Sequence, residues 1–239
     1  MQGIMSLPLI AERFAQLNQI IAELSNGRSI TTVAVSKYTD INHIAAAFEA
    51  GFRHFGESRL QDVLTKQEAF SPPELHWHFI GTLQSNKLGK SVERFSLIQS
   101  VDSMAHAQRL SEVNAAHHLR QACLLQINPG SNTSRNGLTP AQAHEEIETL
   151  MALPGLSFEG LMAMAPPEQS LENDDSALEK TFESVRLLRD ELANRSGNPL
   201  STLSMGMSGD FKSALKQGAT MIRIGQAIFG SEISIKRVV

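Results

Sequence analysis

Residues 32–55 read TVAVSKYTDINHIAAAFEAGFRHF. A short β-branched run, Thr32 to Ser36, gives way to a helical stretch, Ile41 to Ala50, whose apolar residues recur at helical spacing. Gly51 ends that stretch, and a second strand-like run, Phe52 to Phe55, follows at once. A strand, a crossover helix and a strand form a βαβ unit, which makes the two strands parallel.

The same alternation extends in both directions. Upstream, Leu7, Ile10, Phe14, Leu17, Ile21 and Leu24 share one helical face and predict an opening amphipathic helix. Downstream, strand-like runs fall at Trp77 to Ile80, Leu97 to Val101, Ala122 to Ile127, Ser157 to Leu161, Thr202 to Ser204 and Met221 to Ile224. Helical patterns lie between them at Arg59 to Ala69, Ser103 to His118, Pro140 to Met151, Ser176 to Ala193 and Asp210 to Gln217. Thr139-Pro140 reads as a cap with proline at the first helical position, and Gly218 follows a helix end. Eight βα units close most naturally into a barrel, so the expected fold is α/β, a single (β/α)8 TIM-type barrel; an open doubly wound sheet is the competing reading. The length of 239 residues suits one such barrel, and no linker divides the chain, so residues 1–239 are read as one domain. The polar stretch from Glu168 to Asp175 reads as a surface loop before a long helix.

Composition narrows the function classes. A net charge of -4, without a basic patch interleaved with aromatics, argues against nucleic acid as a partner. No leader-like segment and no apolar run of membrane-spanning length is present, which predicts a cytoplasmic protein away from the membrane. The single cysteine, Cys123, lies in an apolar run and is read as buried, without a chemical role.

In such a barrel the active face lies at the C-terminal ends of the strands. Those ends present Ser36-Lys37, Gly56-Glu57-Ser58, Gly81-Thr82, Asp102, Asn128-Pro129, Met162-Ala163, Met205 to Gly209 and Gly225-Gln226. Lys37 closes a strand expected to be buried on both faces. Partial desolvation there would favour the free amine that attacks an aldehyde, the requirement of Schiff-base chemistry. On position alone the simpler reading is a lysine snorkelling from a strand end into solvent. A phosphate-binding pattern tips the balance. Ser208-Gly209-Asp210 opens a helix and Ile224-Gly225-Gln226 closes the last strand, the usual place for phosphate in these barrels. Taken singly, Ser208 would be a plain N-cap and Gly225 a tight turn.

The motifs Ala34-Val-Ser-Lys37, His54-Phe-Gly-Glu57, His78-Phe-Ile-Gly-Thr-Leu-Gln-Ser-Asn-Lys87, Gly160-Leu-Met-Ala163, Ser204-Met-Gly-Met-Ser208 and Gly218-Ala-Thr-Met-Ile-Arg-Ile-Gly225 resemble the YggS/PROSC family of pyridoxal phosphate homeostasis proteins over nearly the whole chain. They are similar, more distantly, to the N-terminal barrel of alanine racemase. The resemblance implies a barrel carrying pyridoxal 5'-phosphate (PLP) as a Schiff base on Lys37, with Ser208, Gly209, Gly225 and Gln226 around the phosphate and Arg223 facing the pyridine nitrogen. Without the family, Arg223 would be read as a barrel-interior residue paired with a carboxylate. The implied role is intracellular PLP (vitamin B6) homeostasis, with PLP-dependent apo-enzymes or vitamer-metabolising enzymes as partners and a monomer or weak dimer as the assembly.

A permanent cation beside the ring nitrogen discourages its protonation and makes the ring a weaker electron sink. Racemisation stays open if two opposed acid/base groups exist. Lys37 would be one, but the only tyrosine, Tyr38, is its neighbour in sequence and badly placed to serve the opposite face. The expectation is therefore a non-catalytic PLP holder, the alternative a PLP-dependent amino-acid racemase-like enzyme.

The chain departs from the family pattern in three places. Ser58-Arg59 replaces asparagine-tyrosine, which makes Ser58 a weaker candidate for a cofactor contact. Gln226 replaces a threonine and keeps only its backbone N–H. Ser134-Arg-Asn-Gly137 replaces a lysine-containing loop, so no amine chemistry carries over to Arg135. Other signals are read as structural. Gly89-Lys90-Ser91 lacks the first glycine of a phosphate loop and suggests a short helix. His76 and His78 share a strand face without a third ligand by spacing, so no metal site is expected. The methionines of Leu161 to Met164 and Met205 to Met207 are read as filling around the barrel mouth.

Overall fold

A computed structural model describes residues 7–130, 135–166 and 175–230. Of the expected surface loop at 168–175, all but Asp175 lies outside the described residues, as does Ser134. The eight strands are β1 (Thr31–Val35), β2 (His54–Glu57), β3 (His76–Phe79), β4 (Leu97–Val101), β5 (Gln121–Ile127), β6 (Leu156–Ala163), β7 (Thr202–Ser204) and β8 (Met221–Ile224). They form a closed barrel in sequence order, each pair parallel. Closure comes from β1 pairing with β8, Thr31 opposite Met221 through Ala34 opposite Ile224. This excludes the open sheet.

Side chains alternate across each strand, and the two faces bury different sets. Val33, Leu97, Leu124, Met162 and Met221 cluster inside the barrel. Ala34, Phe55, Ile98, Leu125, Leu161 and Ile222 join the larger core between sheet and helices. Burying a large apolar side chain contributes about 1.5–3 kcal/mol, so residues such as Phe55, Ile98 and Leu125, all at 0% exposure, anchor the strands firmly.

The outer layer comprises α1 (Leu7–Leu24), α2 (Ile41–Glu49), α3 (Leu60–Ala69), α4 (Met104–Ala116), α5 (Pro140–Met151), α6 (Asp175–Ser196), α7 (Phe211–Lys216) and α8 (Gln226–Phe229). The opening helix packs beside α2, α7 and α8, and Arg13 donates from Nη1 to the carbonyl of Ile228 at 2.7 Å. At α5 the cap is a full capping box: Thr139 accepts from the N–H of Gln142, whose side chain accepts the N–H of Thr139 in return. No helix among the described residues is long and apolar enough to cross a membrane.

One local expectation shifts. The run Phe52 to Phe55 was expected as a strand, yet β2 begins at His54. Phe52 is used instead to end α2: its N–H bonds the carbonyl of Ala47 at 3.0 Å past Gly51, which sits at φ 116. Glu57 thereby joins the strand, and Ser58 is the first residue beyond it. Between β3 and β4 the crossover is a 3-10 helix, Ser85–Ser91, in line with the short helix expected around Gly89-Lys90-Ser91; it buries Leu88 and Ser91, and its Ser, Asn and Gly residues do not favour a longer helix.

Candidate functional site

A cavity of about 420 Å³ opens at the C-terminal mouth of the barrel. Its lining includes Lys37, Ser58, Ser208, Gly209, Arg223, Gly225 and Gln226. Every site residue expected from the sequence thus meets at one place, delivered by the ends of β1, β2, β7 and β8.

Lys37 is exposed, as the reading from position alone has it, and this corrects the expectation of a desolvated amine. The strand ends at Val35, Ser36 is still buried, and the chain turns outward at Lys37-Tyr38 before Thr39 is buried again. Tyr38 takes a left-handed φ of 65, a conformation that costs a non-glycine residue about 1–2 kcal/mol. The turn is held by the N–H of Thr39 donating to the carbonyl of Ser36 at 2.9 Å, and the guanidinium of Arg59 lies 5.3 Å from the Tyr38 ring.

Ser36 is pinned in turn. Its hydroxyl donates to Oε1 of Glu57 at 2.7 Å, and the Lys66 ammonium donates to its carbonyl at 2.9 Å. The sequence reading missed Lys66, which lies on α3 and carries no signal beyond a helical lysine. Ser58 depends on Gly81: a Cβ there would stand 2.1 Å from the Ser58 carbonyl oxygen.

Arg223 is 4% exposed and lines the cavity from β8. Its Nη1 donates to the carbonyl and the hydroxyl of Ser204, both at 2.7 Å, and Nη2 donates to the carbonyl of Ala163 at 2.9 Å. Among the described residues it makes no ion pair, so the carboxylate-paired reading does not hold. Burial lowers its pKa to about 10, partly offset by the charge of Asp210, and it remains a cation at neutral pH. A guanidinium has five N–H donors, and those not spent on Ser204 and Ala163 remain for a ligand.

Ser208 is not the N-cap of the following helix; Asp210 holds that position, and its carboxylate accepts from the Met207 N–H. The Ser208 hydroxyl accepts instead from the N–H groups of Gly225 and Ala227, at 3.3 and 3.4 Å. Both bonds are long for N–H to oxygen, so a better acceptor can compete for these donors. A Cβ on Gly209 would meet nothing within 4 Å, which leaves that edge open.

Among the methionines, Met162, Met164 and Met207 line the cavity, and strand-end position was the signal available for them. Arg135 does not line it; Nη2 holds the carbonyls of Met164 and Ala165 at 3.3 and 3.2 Å. His76 and His78 do gain a third imidazole, His54, but its Nδ1 lies 2.9 Å from Nε2 of His78 in a hydrogen bond. Among the described residues no group of three or more His, Cys, Asp or Glu is placed to hold a metal ion.

Comparison with known proteins gives a consistent picture. The model of the family described as alanine racemase, N-terminal domain, matches residues 10–232. A pyridoxal phosphate homeostasis protein of Pseudomonas aeruginosa is 39% identical over 227 residues, covering 93% of this chain and 95% of that protein. One of Haemophilus influenzae is 36% identical over 211 residues, covering 87% and 88% respectively. The structure of PipY from Synechococcus elongatus, determined with PLP bound, superposes with a TM-score of 0.81 at 37% identity, covering 92% of this chain and 100% of that one.

Proposed function

The chain belongs to the pyridoxal phosphate homeostasis proteins, within the alanine racemase N-terminal domain family, and from that premise we propose that it binds pyridoxal 5'-phosphate at the barrel mouth as a holder and donor of the cofactor. The observation that carries this reading is the lining of the cavity. It combines one amine, Lys37, one buried guanidinium, Arg223, and backbone N–H groups loosely engaged by Ser208. The volume, about 420 Å³, suits a small aromatic phosphate.

When bound, pyridoxal phosphate supplies an aldehyde that an amine can attack and a ring that can delocalise electrons. Lys37 is the amine for that aldehyde. Arg223 would face the ring nitrogen and, as a permanent cation, would keep a proton off it, which would weaken electron withdrawal. Gly209, Gly225 and Gln226 offer backbone N–H groups, and Ser208 a hydroxyl, to the phosphate. Ser58 borders the cavity from β2.

The non-catalytic part of the reading rests on the acid/base inventory. Among the described lining residues the titratable side chains are Lys37, Tyr38 and Arg223. Lys37 and Tyr38 share one turn, so neither opposes the other across a substrate, as two-sided proton exchange requires. In this reading the protein works in the cytoplasm and passes the cofactor to PLP-dependent apo-enzymes.

The test is a visible absorption spectrum of wild type and Lys37→Ala after incubation with pyridoxal phosphate, followed by borohydride reduction and peptide mapping. Wild type should show a visible band and a label on Lys37, and the variant neither. A label on another lysine, or identical spectra, overturns the site. Alpha-proton exchange into alanine in deuterated water should stay at background, and an apo-enzyme added to the loaded protein should gain activity.

A further inference from the structure

Inside the barrel, in contact with its apolar cluster through Gln99 and Met221, five polar side chains touch in series: His54 of β2, His78 of β3, Gln99 of β4, Ser204 of β7 and Arg223 of β8. His78 is 3% exposed, Gln99 and Ser204 0% and Arg223 4%. Arg223 Nη1 lies 2.7 Å from Ser204 Oγ, Ser204 Oγ 2.6 Å from Gln99 Oε1, Gln99 Nε2 3.0 Å from His78 Nδ1, and His78 Nε2 2.9 Å from His54 Nδ1.

A donor-only group at one end, Arg223, and an acceptor-only group beside the amide, Met221 Sδ, fix the links. A guanidinium only donates, so Ser204 Oγ accepts from it, and the hydroxyl proton goes on to Gln99 Oε1. The amide must then turn Nε2 toward His78, whose Nδ1 accepts. A neutral His78 with an accepting Nδ1 carries its proton on Nε2 and donates it to Nδ1 of His54. The amide orientation is set by Met221, whose Sδ can only accept and lies 3.2 Å from Gln99 Nε2, and from that orientation both imidazole tautomers follow. Burial keeps His54 and His78 neutral, lowering their pKa values to about 4 and 3, with the nearby imidazoles adding to the effect. The charged or titratable neighbours are His76, stacked on His54 at 4.8 Å, and Asp210, acting on Arg223.

A core of this kind is costly unless every member is satisfied, and the apolar cluster in contact with it shows that hydrophobic side chains also pack inside this barrel. The only end that reaches the cavity is Arg223. We propose that Gln99 and His78 are positioning residues for Arg223: the one-way chain holds the Ser204 hydroxyl as an acceptor, fixes the guanidinium against Ser204 and Ala163, and directs its remaining N–H groups at the bound ring. This rests on the reading that the cavity takes pyridoxal phosphate.

Two measurements test it. In the ligand-free protein, nitrogen NMR of the histidine rings should show His78 and His54 protonated on Nε2 and bare on Nδ1. Other tautomers overturn the chain regardless of any cofactor. In the loaded protein, His78→Leu and Ser204→Ala should weaken retention of pyridoxal phosphate about tenfold and move the pH titration of its visible band, with the label still on Lys37. His78→Asn, whose side-chain oxygen can replace Nδ1 as acceptor, should restore both. Ser204→Ala changes little volume and serves if His78→Leu does not fold. If retention and titration match wild type while thermal stability alone falls, the residues are only structural and the proposal fails. If wild type itself shows no band, the cofactor reading fails and the positioning role with it, while the NMR still reports whether the chain exists.

Discussion

The ammonium of Lys66 lies 2.6 Å from Oε1 of Glu57, a carboxylate with no exposed surface. Lys66 also reaches the Ser36 carbonyl, and Glu57 accepts the Ser36 hydroxyl, so the pair clamps the backbone one residue before Lys37. Removing one partner of a buried pair leaves the other without compensation. Glu57→Ala should therefore cost about 3–5 kcal/mol, read from urea unfolding as a lower midpoint at unchanged slope. Glu57→Gln, which still accepts from Ser36, should cost less.

Gly81→Ala should disturb the site without touching a ligand. The new methyl group would stand 2.1 Å from the Ser58 carbonyl oxygen, so the loop after β2 must move. A loss of about 1–3 kcal/mol is expected, together with weaker retention of pyridoxal phosphate. Gly89→Ala is the control: a Cβ there meets nothing within 4 Å, and its effect should stay within about 0.5 kcal/mol.

Acid should weaken the fold through the buried imidazoles. His54 and His78 have folded pKa values near 4 and 3, against 6.5 when unperturbed, chiefly because burial disfavours their charged forms. From pH 6.5 downward the unfolded chain binds protons that the folded chain refuses, so the free energy of unfolding falls with pH and is fully regained above 6.5. His78 alone adds a slope of at most about 1.4 kcal/mol per pH unit, and His78→Asn should remove that share in a series of denaturation curves from pH 7 to 5.

Cys123 should be inert in the native state. It is fully buried, and burial, with the charge of Glu159, pushes its thiol well above the ordinary range. A thiol-specific reagent should label it at the rate at which the chain opens, rising steeply in denaturant. Fast labelling in buffer would contradict the burial.

Much of the fold was legible because short β-branched runs alternating with helical patterns are local signals. Strand β2 was displaced by two residues because Phe52, apolar like a strand residue, serves the end of α2. Exposure of Lys37 agrees with the reading from position alone, a lysine snorkelling from a strand end, but the turn that exposes it was not legible, since Tyr38 at positive φ has no marker comparable to glycine. Neither was the Glu57–Lys66 pair, whose members look like ordinary strand-end and helix-surface charges.

The sequence by itself determined the order of elements, the parallel barrel and the residues that gather at its mouth, because strand ends in such a fold share one face. Only the tertiary structure decided how those residues are held. Ser204 meets Gln99 across 105 positions, and Arg223 meets Ala163 across 60. Such contacts depend on which strands oppose one another across the closed barrel and on the register at which β1 meets β8. No periodicity along the chain encodes that three-dimensional match of donor to acceptor.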